Sequence, residues 1–489
     1  MVISQNKKPL LNQLKRLAGE TALYGLGSML PRILNFLLVP LHTYHMFSRE
    51  EYGQITKVLS VVAFVNVVYM FGMETAFFRF ATKENADSGR IFRLAQTVVL
   101  LVSAALTLPI LVWSDSIATS LGLDHRSDII NWVAAIMFID ALVAIPFARL
   151  RLEHKALQFA AAKILNILVL IGLNIYFLKY SYHHEVGIGY VFLANLVANA
   201  LFVVFFFNML IAWRPEWDKT ISPQMIEYAY PVMLTGLAGM TNEMFSRLTL
   251  DWWLPENYYG QISNEAALGI FGACYKFAVF MNLGIQSFRY AAEPFFFSSA
   301  KEKNSPALFA KVNHFFIITA CVVLLAVSLN LDILQYLIGD EFREGLSIVP
   351  VLLLAYLCLG VYYNISIWFK LTDRTYFGTA LTIGGAIITI GANYLLIPIW
   401  GYTGSSFAAL ACYAGMMIFC YTIGKHYYPV PYKVVNGLLY IGLSVLIVWA
   451  AQQVAFDNLY VSILTHFLII ISFVGFAVWK ERPYWSENS

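Results

Sequence analysis

The chain has 489 residues, of which 59% are hydrophobic and 12% are charged, and its formal net charge at neutral pH is +3. An ordinary globular protein has about 25% charged residues, so this composition excludes a soluble globular protein and predicts an integral membrane protein. The five cysteines all lie in apolar segments without a CxxC spacing, which favours small core residues over a disulfide or a metal site.

Apolar segments long enough to cross a membrane recur along the whole chain, because a spanning helix needs about 20 apolar residues. Residues 1–16 are basic and have no apolar signal region, which predicts a cytoplasmic leader. We predict an all-α polytopic membrane protein with fourteen transmembrane helices. The predicted spans are 17–43, 55–78, 94–113, 129–148, 160–178, 187–212, 226–252, 266–288, 312–334, 347–369, 376–399, 403–424, 434–452 and 459–479.

The distribution of lysine and arginine tests this layout. With the N-terminus in the cytoplasm, the inner tails and loops carry 24 of the 32 basic residues and the outer loops carry 4. Cytoplasmic loops are enriched in basic residues, so this asymmetry supports fourteen spans with both termini in the cytoplasm. The remaining basic residues lie inside predicted spans and are Arg32, Lys57, Arg247 and Lys276.

An internal repeat divides the predicted helices. Residues 151–174 resemble residues 370–393 at a constant offset of 219, with basic residues and apolar residues at matching positions. The two segments enter helices 5 and 11, which run in the same direction, so the sequence predicts two parallel six-helix lobes. The predicted organisation is a leader (1–16), an N-lobe (17–212), a linker (213–225), a C-lobe (226–424), two further helices (425–480) and a cytoplasmic tail (481–489).

The first predicted helix carries a polar stripe with Arg32 near its centre, beside Pro31, which predicts a broken or bent helix here. An arginine near mid-membrane costs at least ~2.5–3.5 kcal/mol, so Arg32 either faces water or pairs with an acid on another helix. We interpret the stripe as a cleft wall in which Ser28, Arg32 and Asn35 bind substrate. Its members fall within about 100° on the helix and are Thr21, Tyr24, Gly25, Ser28, Arg32, Asn35 and His42.

Helices 7 and 8 carry the second set of polar positions. In helix 7, Glu243, Arg247 and Asp251 are four residues apart, so they can also neutralise one another locally. Helix 8 places amides and charges on one face, ending at Glu293. The candidate substrate-binding residues of these two helices are Arg247, Tyr275, Lys276, Asn282, Gln286 and Arg289.

Isolated acids inside the spans are candidates for ion coupling. Asp140 lies in the apolar segment AAIMFIDALVAIP, where it either pairs structurally with Arg32 or carries a proton. Glu74 lies at the inner end of helix 2 and Glu243 lies in helix 7. We predict the ion-coupling site among Glu74, Asp140 and Glu243.

The sequence lacks the motifs that are typical of metal binding, nucleotide binding and nucleic-acid binding. The nine histidines form no HxxxH or HExxH pattern, and no glycine-rich phosphate loop with lysine occurs. No loop has a basic patch typical of nucleic-acid binding. The sequence therefore predicts a charged membrane cavity without a metal, a cofactor or enzymatic activity.

Three segments resemble the polysaccharide transporters, the O-antigen and capsule flippases of the multidrug/oligosaccharidyl-lipid/polysaccharide exporter superfamily. They are residues 51–82 (EYGQITKVLSVVAFVNVVYMFGMETAFFRFAT), 267–297 (ALGIFGACYKFAVFMNLGIQSFRYAAEPFFF) and 349–410, which begins VPVLLLAYLCLGVYYN. The resemblance implies two six-helix lobes around a cationic cleft. It also implies a flippase that moves an undecaprenyl-diphosphate-linked oligosaccharide across the bacterial inner membrane by alternating access, for O-antigen, capsule or exopolysaccharide synthesis. The implied partners are this lipid-linked glycan, the bilayer, a glycan polymerase and the chain-length machinery.

Other functions stay open. A multidrug exporter of the same superfamily would line its cavity with acids and aromatic residues, whereas here four intramembrane cations nearly match five acids in number. A lipid II flippase would differ only in its cargo. A membrane glycan polymerase usually needs a large outer loop with catalytic residues, and the predicted outer loops are all short.

The charge asymmetry predicts which loops are accessible from outside the cell. Single cysteines at Asp124 or Glu341 should react with a membrane-impermeant maleimide in intact cells, because both positions lie in predicted outer loops. Cysteines at Lys303 or Asp373 should react only after the cells are opened. Labelling at Lys303 in intact cells would contradict the fourteen-span topology.

Overall fold

The structure, a computed structural model, describes residues 23–84, 86–300, 304–454 and 458–482. The predicted leader 1–16, Glu20, Thr21, Lys303 and the tail from residue 483 lie outside these ranges. In the described part of the chain every regular element is helical, and β-pairing is limited to one isolated bridge between Tyr259 and Ile262. The predicted all-α fold class is confirmed.

Fourteen helical segments follow the order of the predicted spans, with short helical turns in the connections between them. By length and composition, 11 helices of the described chain can cross a membrane, one of them joining two predicted spans. The segments are α1 Leu23–Tyr44, α2 Arg49–Ala81, α3 Ser88–Val112, α4 Ser127–Leu152, α5 Ala156–Tyr180, α6 Gly189–Phe205, α7 Ile221–Trp253, α8 Asn264–Ser299, α9 Ser305–Leu329, α10 Asp340–Leu371, α11 and α12 together Tyr376–Tyr427, α13 Val434–Gln452 and α14 Leu459–Glu481.

Two helices change direction at residues with positive φ. Gly401 (φ 56°, ψ −135°) separates α11 from α12, and a side chain there would meet the ring of Tyr259. In α2, Phe71 and Gly72 have φ of 49° and 68°, which starts a separate inner helix at Met73. Glycine adopts this backbone conformation at little cost, so the two glycines account for the breaks.

The described chain divides into two compact units. Unit 1 contains the described residues up to His42 and Gln54–Met240, and unit 2 contains Thr43–Gly53 and the described residues from Thr241 onwards. The predicted linker 213–225 thus lies within unit 1. The physical reason is that its acids, Glu216 and Asp218, bind two arginines at the start of α3. The assignment of six helices to each lobe stays a prediction.

Aromatic side chains build the inner part of unit 1. Phe147 of α4 makes edge contacts with Phe159 of α5 and Phe202 and Phe206 of α6, with ring centroids 4.7–5.5 Å apart. These side chains are buried and belong to one apolar cluster. Their packing fixes α4, α5 and α6 against one another, and edge-to-face aromatic pairs contribute beyond their buried area.

In unit 2 the two C-terminal helices are attached to α9 through a buried polar cluster. The Glu481 carboxylate at the end of α14 lies 3.0 Å from His314 Nε2 of α9 and accepts a hydrogen bond from the Tyr440 hydroxyl of α13 (2.9 Å). All three side chains are buried. A buried carboxylate is stable only when it is hydrogen-bonded or paired, so this cluster holds the three helices together.

The sequence repeat extends to side-chain contacts. Asn174 of α5 and Asn393 of α11 are separated by the offset of 219 and are both fully buried. Each donates its amide N–H to the carbonyl four residues earlier, at 2.9 Å and 2.8 Å. The same residue thus makes the same contact in each unit, which supports an internal duplication.

The linker contacts predict a pH-dependent contribution to stability. Hydrogen bonds from Arg93 and Arg90 lower the pKa of Glu216, and backbone N–H groups of Ile221 and Thr220 lower the pKa of Asp218. A lowered pKa in the folded state stabilises the protein above the unfolded-state pKa, about 4.3 for Glu, and this stabilisation is lost as pH falls through the folded-state pKa.

We expect Glu216→Gln to lower the apparent melting temperature in detergent by about 1–2 °C at pH 7, because exposed ion pairs contribute little after solvent screening. The difference from the unchanged protein should shrink as the pH falls below the unfolded-state pKa and vanish once the pH is below the lowered folded-state pKa of Glu216. Glu227→Gln is the matched control, since Glu227 is an exposed carboxylate on the following helix. An equal effect of Glu216→Gln at pH 7 and below that folded-state pKa would contradict this origin.

Candidate functional site

The polar stripe of α1 does not form one continuous exposed face. Arg32 and Asn35 are exposed, whereas His42 is buried and its Nε2 lies 3.1 Å from the Asn174 side-chain oxygen. Tyr24 packs against Phe159 with a centroid distance of 5.4 Å. The middle of the stripe therefore lies at the surface of unit 1, and its ends belong to the interior of this unit.

Irregular helix geometry explains this division. The α-helix continues through Pro31 and is interrupted at Leu37, and a π-helical segment follows at His42–Met46. A constant rotation of 100° per residue holds only in a regular α-helix, so the predicted arc is wrong beyond the interruption. Ser28, earlier in the helix, donates its hydroxyl to the Tyr24 carbonyl at 2.8 Å.

Asp140 lies in a polar cluster of unit 1. Its Oδ1 accepts a hydrogen bond from the Asn199 amide (2.9 Å), and the Asn199 side-chain oxygen accepts one from Asn166 (3.0 Å). Lys163 of α5 interacts electrostatically with Asp140. The alternative that Asp140 pairs with Arg32 is wrong, because α5 and α6 supply the neighbours of this carboxylate.

Lys163 is the residue that the sequence reasoning missed. Its position close to the basic loop 149–155 suggested a cytoplasmic lysine. The structure places its ammonium nitrogen inside unit 1, 4.3 Å from the ring centroid of Phe147 and 4.8 Å from that of Phe202. The ring faces stabilise the ammonium group by a cation–π interaction. The isolated Asp140 on the adjacent helix was the sequence feature that indicated a cation nearby.

Glu74, the second predicted coupling acid, is held by a cation. Its carboxylate lies 2.5 Å from the Arg151 guanidinium, which belongs to the end of α4. The same guanidinium lies 5.1 Å from the Phe78 ring centroid.

In unit 2, Arg247 of α7 is not neutralised by the acid one turn before it. Its guanidinium donates to the backbone carbonyl of Glu243 (3.1 Å), and no ion pair joins these two side chains in the described structure. The guanidinium stacks on the Tyr275 ring at 4.1 Å. The sequence left open an ion pair between Arg247 and Glu243. The structure instead fixes the Arg247 guanidinium by a backbone carbonyl and a tyrosine ring.

Tyrosines surround this position. The Tyr275 hydroxyl lies 2.5 Å from the Tyr356 hydroxyl of α10, and the Tyr413 hydroxyl of α12 donates to the Asn242 carbonyl at 3.4 Å. The three tyrosine side chains are buried. Lys276 follows in a short 3-10 segment that interrupts α8, and its ammonium is close enough to be repelled by Arg247. Two cations thus lie beside a buried tyrosine cluster.

Arg289 lies on the exposed side of α8, with its guanidinium 4.9 Å from the Tyr363 ring centroid. One turn earlier, the Gln286 amide donates to the Asn282 side-chain oxygen at 3.1 Å. One turn later, Glu293 forms an ion pair with Lys370 of α10. The predicted polar face of α8 therefore has a cation next to uncharged amides, and the acid on it is already paired.

The site in unit 2 carries an excess of positive charge. Arg247, Lys276 and Arg289 have no carboxylate within ion-pair distance among the residues that the structure describes. Guanidinium groups stacked on tyrosine rings keep N–H donors for an anion, and Arg binds phosphate oxygens through two parallel hydrogen bonds. No group of three or more His, Cys, Asp or Glu side chains in the described ranges could hold a metal ion. The arrangement suits a phosphate-bearing ligand.

A sequence family matches the chain over these elements. The profile of the family described as "Polysaccharide biosynthesis protein" matches residues 45–324, which is more than half of the chain. No curated protein matches the sequence.

Solved structures share the fold at low sequence identity. The lipid II flippase MurJ in an inward closed conformation is similar with a TM-score of 0.71 and 14% identity, covering 94% of this chain and 99% of MurJ. An inward-facing multidrug resistance MATE family transporter of the MOP superfamily has a TM-score of 0.61 and 15% identity, covering 83% and 94%. The Vibrio cholerae MATE transporter VcmN in the bent form has a TM-score of 0.55 and 12% identity, covering 87% and 98%. These similarities show the exporter fold.

Proposed function

The chain belongs to the polysaccharide biosynthesis protein family, and from this premise we propose that it is a flippase for a lipid-linked oligosaccharide. The carrier is undecaprenyl diphosphate, the membrane is the bacterial inner membrane, and the mechanism is alternating access. The glycan serves O-antigen, capsule or exopolysaccharide synthesis, where a glycan polymerase and the chain-length machinery act on the translocated product.

The excess of unpaired cations in unit 2 carries the proposal. Arg247 and Lys276 lie within helices predicted to span the membrane, where an unneutralised charge costs at least ~2.5–3.5 kcal/mol. Such a cost is offset when the charge binds an anionic cargo. A diphosphate supplies this anion, whereas an organic cation would be repelled. We therefore favour a phosphate-linked cargo over the cationic drugs of a multidrug exporter.

Each proposed contact has a distinct role. Arg32 and Asn35 of α1 are exposed and bind the diphosphate or the adjoining sugar, with Ser28 one turn earlier. Arg247, Lys276 and Arg289 bind phosphate oxygens, and the amides of Asn282 and Gln286 bind sugar hydroxyls. Tyr275 holds the Arg247 guanidinium in place.

Removing one cation should reduce export of the glycan without reducing the amount of protein. Arg32→Ala and Arg289→Ala each remove a phosphate contact. Arg32→Ala also removes a costly charge from a predicted span, and Arg289 is exposed beyond the end of one, so insertion of both variants should be normal. We expect surface glycan to fall at least about tenfold, as expected for a charge-assisted contact worth about 1.4 kcal/mol or more. Arg32→Lys should retain part of the activity, because it keeps the charge and loses the two-pronged geometry.

Arg374→Ala is the matched control for these variants. Arg374 also stacks on a tyrosine, Tyr427, at 4.1 Å, but it lies in the connection between α10 and α11. Glycan export and protein abundance are measured together for all variants. Unchanged glycan in both Arg32→Ala and Arg289→Ala would refute the anionic site, and drug efflux that persists in them would favour the multidrug exporter.

Ion coupling is proposed among Asp140, Glu243 and Glu74. Of the three acids, Asp140 has the environment best suited to binding and releasing an ion. Its hydrogen-bond donor is a neutral amide, and Lys163 can compensate a change in the charge of the carboxylate. Glu243 follows, since its carboxylate is not in an ion pair with Arg247. Glu74 comes last, because its carboxylate is in an ion pair with Arg151.

Asp140→Asn should abolish gradient-driven transport in membrane vesicles while protein abundance stays normal. The reason is that the amide keeps the contact with Asn199 but binds no proton or cation. A structural role predicts a different result. Abundance would then fall in Asp140→Asn and recover when Lys163→Met is added, because the unpaired buried cation is removed.

A further inference from the structure

Two ion pairs at the inner ends of the helices are related by the internal repeat. Glu74 pairs with Arg151 in unit 1, and Glu293 pairs with Lys370 in unit 2. Each acid lies 77 residues before its basic partner. Both acids and both bases are separated by the offset of 219, although the acids lie outside the segments in which the repeat was recognised. The duplication has preserved a contact, not only residue types.

The neighbours of the two acids follow the same offset. Met73 and Ala292 precede them, and Phe77 and Phe296 come three residues after them. All four of these side chains are buried. In each unit the inner end of the second helix therefore has a buried anchor on one face and a charged contact to the fourth helix beside it.

A nearby ion pair shows that this arrangement is not general. Arg149 and Glu153 pair at 2.7 Å within one helical turn at the same end of α4. The corresponding positions in the second half are Trp368 and Thr372, which cannot form an ion pair. The local pair has no duplicate, whereas the pair that joins two helices is present in both units.

The need for the contact follows from the helix breaks. In α2 the inner segment Met73–Ala81 is separated from the rest of the helix by two residues with positive φ. In α8 the 3-10 segment at Lys276 interrupts the helix between its outer part and the inner part that carries Arg289 and Glu293. An inner segment beyond such a break can move independently unless another contact fixes it to its neighbour.

We propose that Glu74–Arg151 and Glu293–Lys370 form a duplicated clasp that makes the inner ends of the second and fourth helices of each half move as one body during transport. In this proposal the four act as positioning residues and none of them contacts the cargo, and Glu74 is in addition the third candidate for ion coupling. In unit 2 the clasp holds the segment that carries Arg289. The proposal rests on the proposed transport cycle for its effect on activity, while the clasp itself is testable without any cargo.

Charge reversal with a cysteine reporter tests the clasp. Ala292→Cys places a thiol on the buried face next to Glu293, and the five native cysteines are buried. In this background Glu293→Lys should raise the rate of maleimide labelling about fivefold or more, the population shift that about 1 kcal/mol produces. Glycan transport should fall by a similar factor. The double change Glu293→Lys with Lys370→Glu should restore both rates.

The first half provides the same test independently. Met73→Cys is the reporter, Glu74→Lys is the disrupting change, and Arg151→Glu is the compensating one. Lys370→Arg gives unit 2 the basic residue of unit 1 and should retain most of the transport. Glu153→Lys reverses a charge in the local pair and should leave the Met73→Cys labelling rate unchanged.

The outcomes separate the clasp from the transport proposal. Labelling that rises and is restored as described, with no effect on glycan export, supports the contact and contradicts its role in transport. The proposed function itself fails only if Arg32→Ala and Arg289→Ala also leave glycan export unchanged. Labelling that is unaffected by Glu293→Lys and Glu74→Lys overturns the clasp, whatever happens to transport. A double reversal that fails to restore labelling also overturns it, because the two charges would not be acting as a pair.

Discussion

The free-energy cost of a charge in the hydrocarbon core governs where each ionic side chain of this protein lies. A membrane protein meets this cost by pairing the charge, stacking it on an aromatic ring, or exposing it to water or a ligand. Lys163 is stacked between phenylalanines near Asp140, and Glu74 is paired with Arg151. Arg247 and Arg289 stack on tyrosine rings and have no carboxylate within ion-pair distance among the described residues, so their N–H groups can donate to an anion.

The fold was largely predictable from the sequence because the bilayer restricts the possible structures. Length and hydropathy predicted the helix order, and even the long segment Tyr376–Tyr427 divides at Gly401 as the two predicted spans require. Lysine and arginine counts in the loops added an independent constraint. The division into units was not predicted at residue level, since it depends on loop contacts such as Glu216 with Arg90, which leave no periodic pattern.

The candidate site was only partly predictable, because side-chain partners depend on local helix geometry. A regular helical wheel for α1 places Arg32 and His42 on one face. In the structure Arg32 is exposed, whereas His42, beyond the interruption at Leu37, is buried against Asn174. The spacing of Glu243 and Arg247 is compatible with an ion pair, but in the described structure the Arg247 guanidinium donates to the Glu243 backbone carbonyl instead. Lys163 lies inside the predicted span 160–178 but was counted with the basic residues of the inner loops, because closeness in sequence to a basic loop does not reveal burial. Each error came from treating a helix as regular and isolated.

The internal repeat distinguishes the paired residues at the ends of the second and fourth helices from several of the residues proposed to bind the cargo. At the offset of 219, the paired residues Glu74 and Arg151 have charged counterparts. The candidates for function differ among themselves: Arg247 corresponds to Ser28, Arg289 to Met70 and Asp140 to Leu359, which are uncharged, whereas Lys276 corresponds to Lys57 and Arg32 to Asp251. A duplicated chain must keep the contacts that each half needs to fold, and it can change positions that both halves do not need. Arg247 and Arg289 thus lie where the two halves have diverged, which is compatible with the proposal that a single cargo binds to one half of a duplicated scaffold.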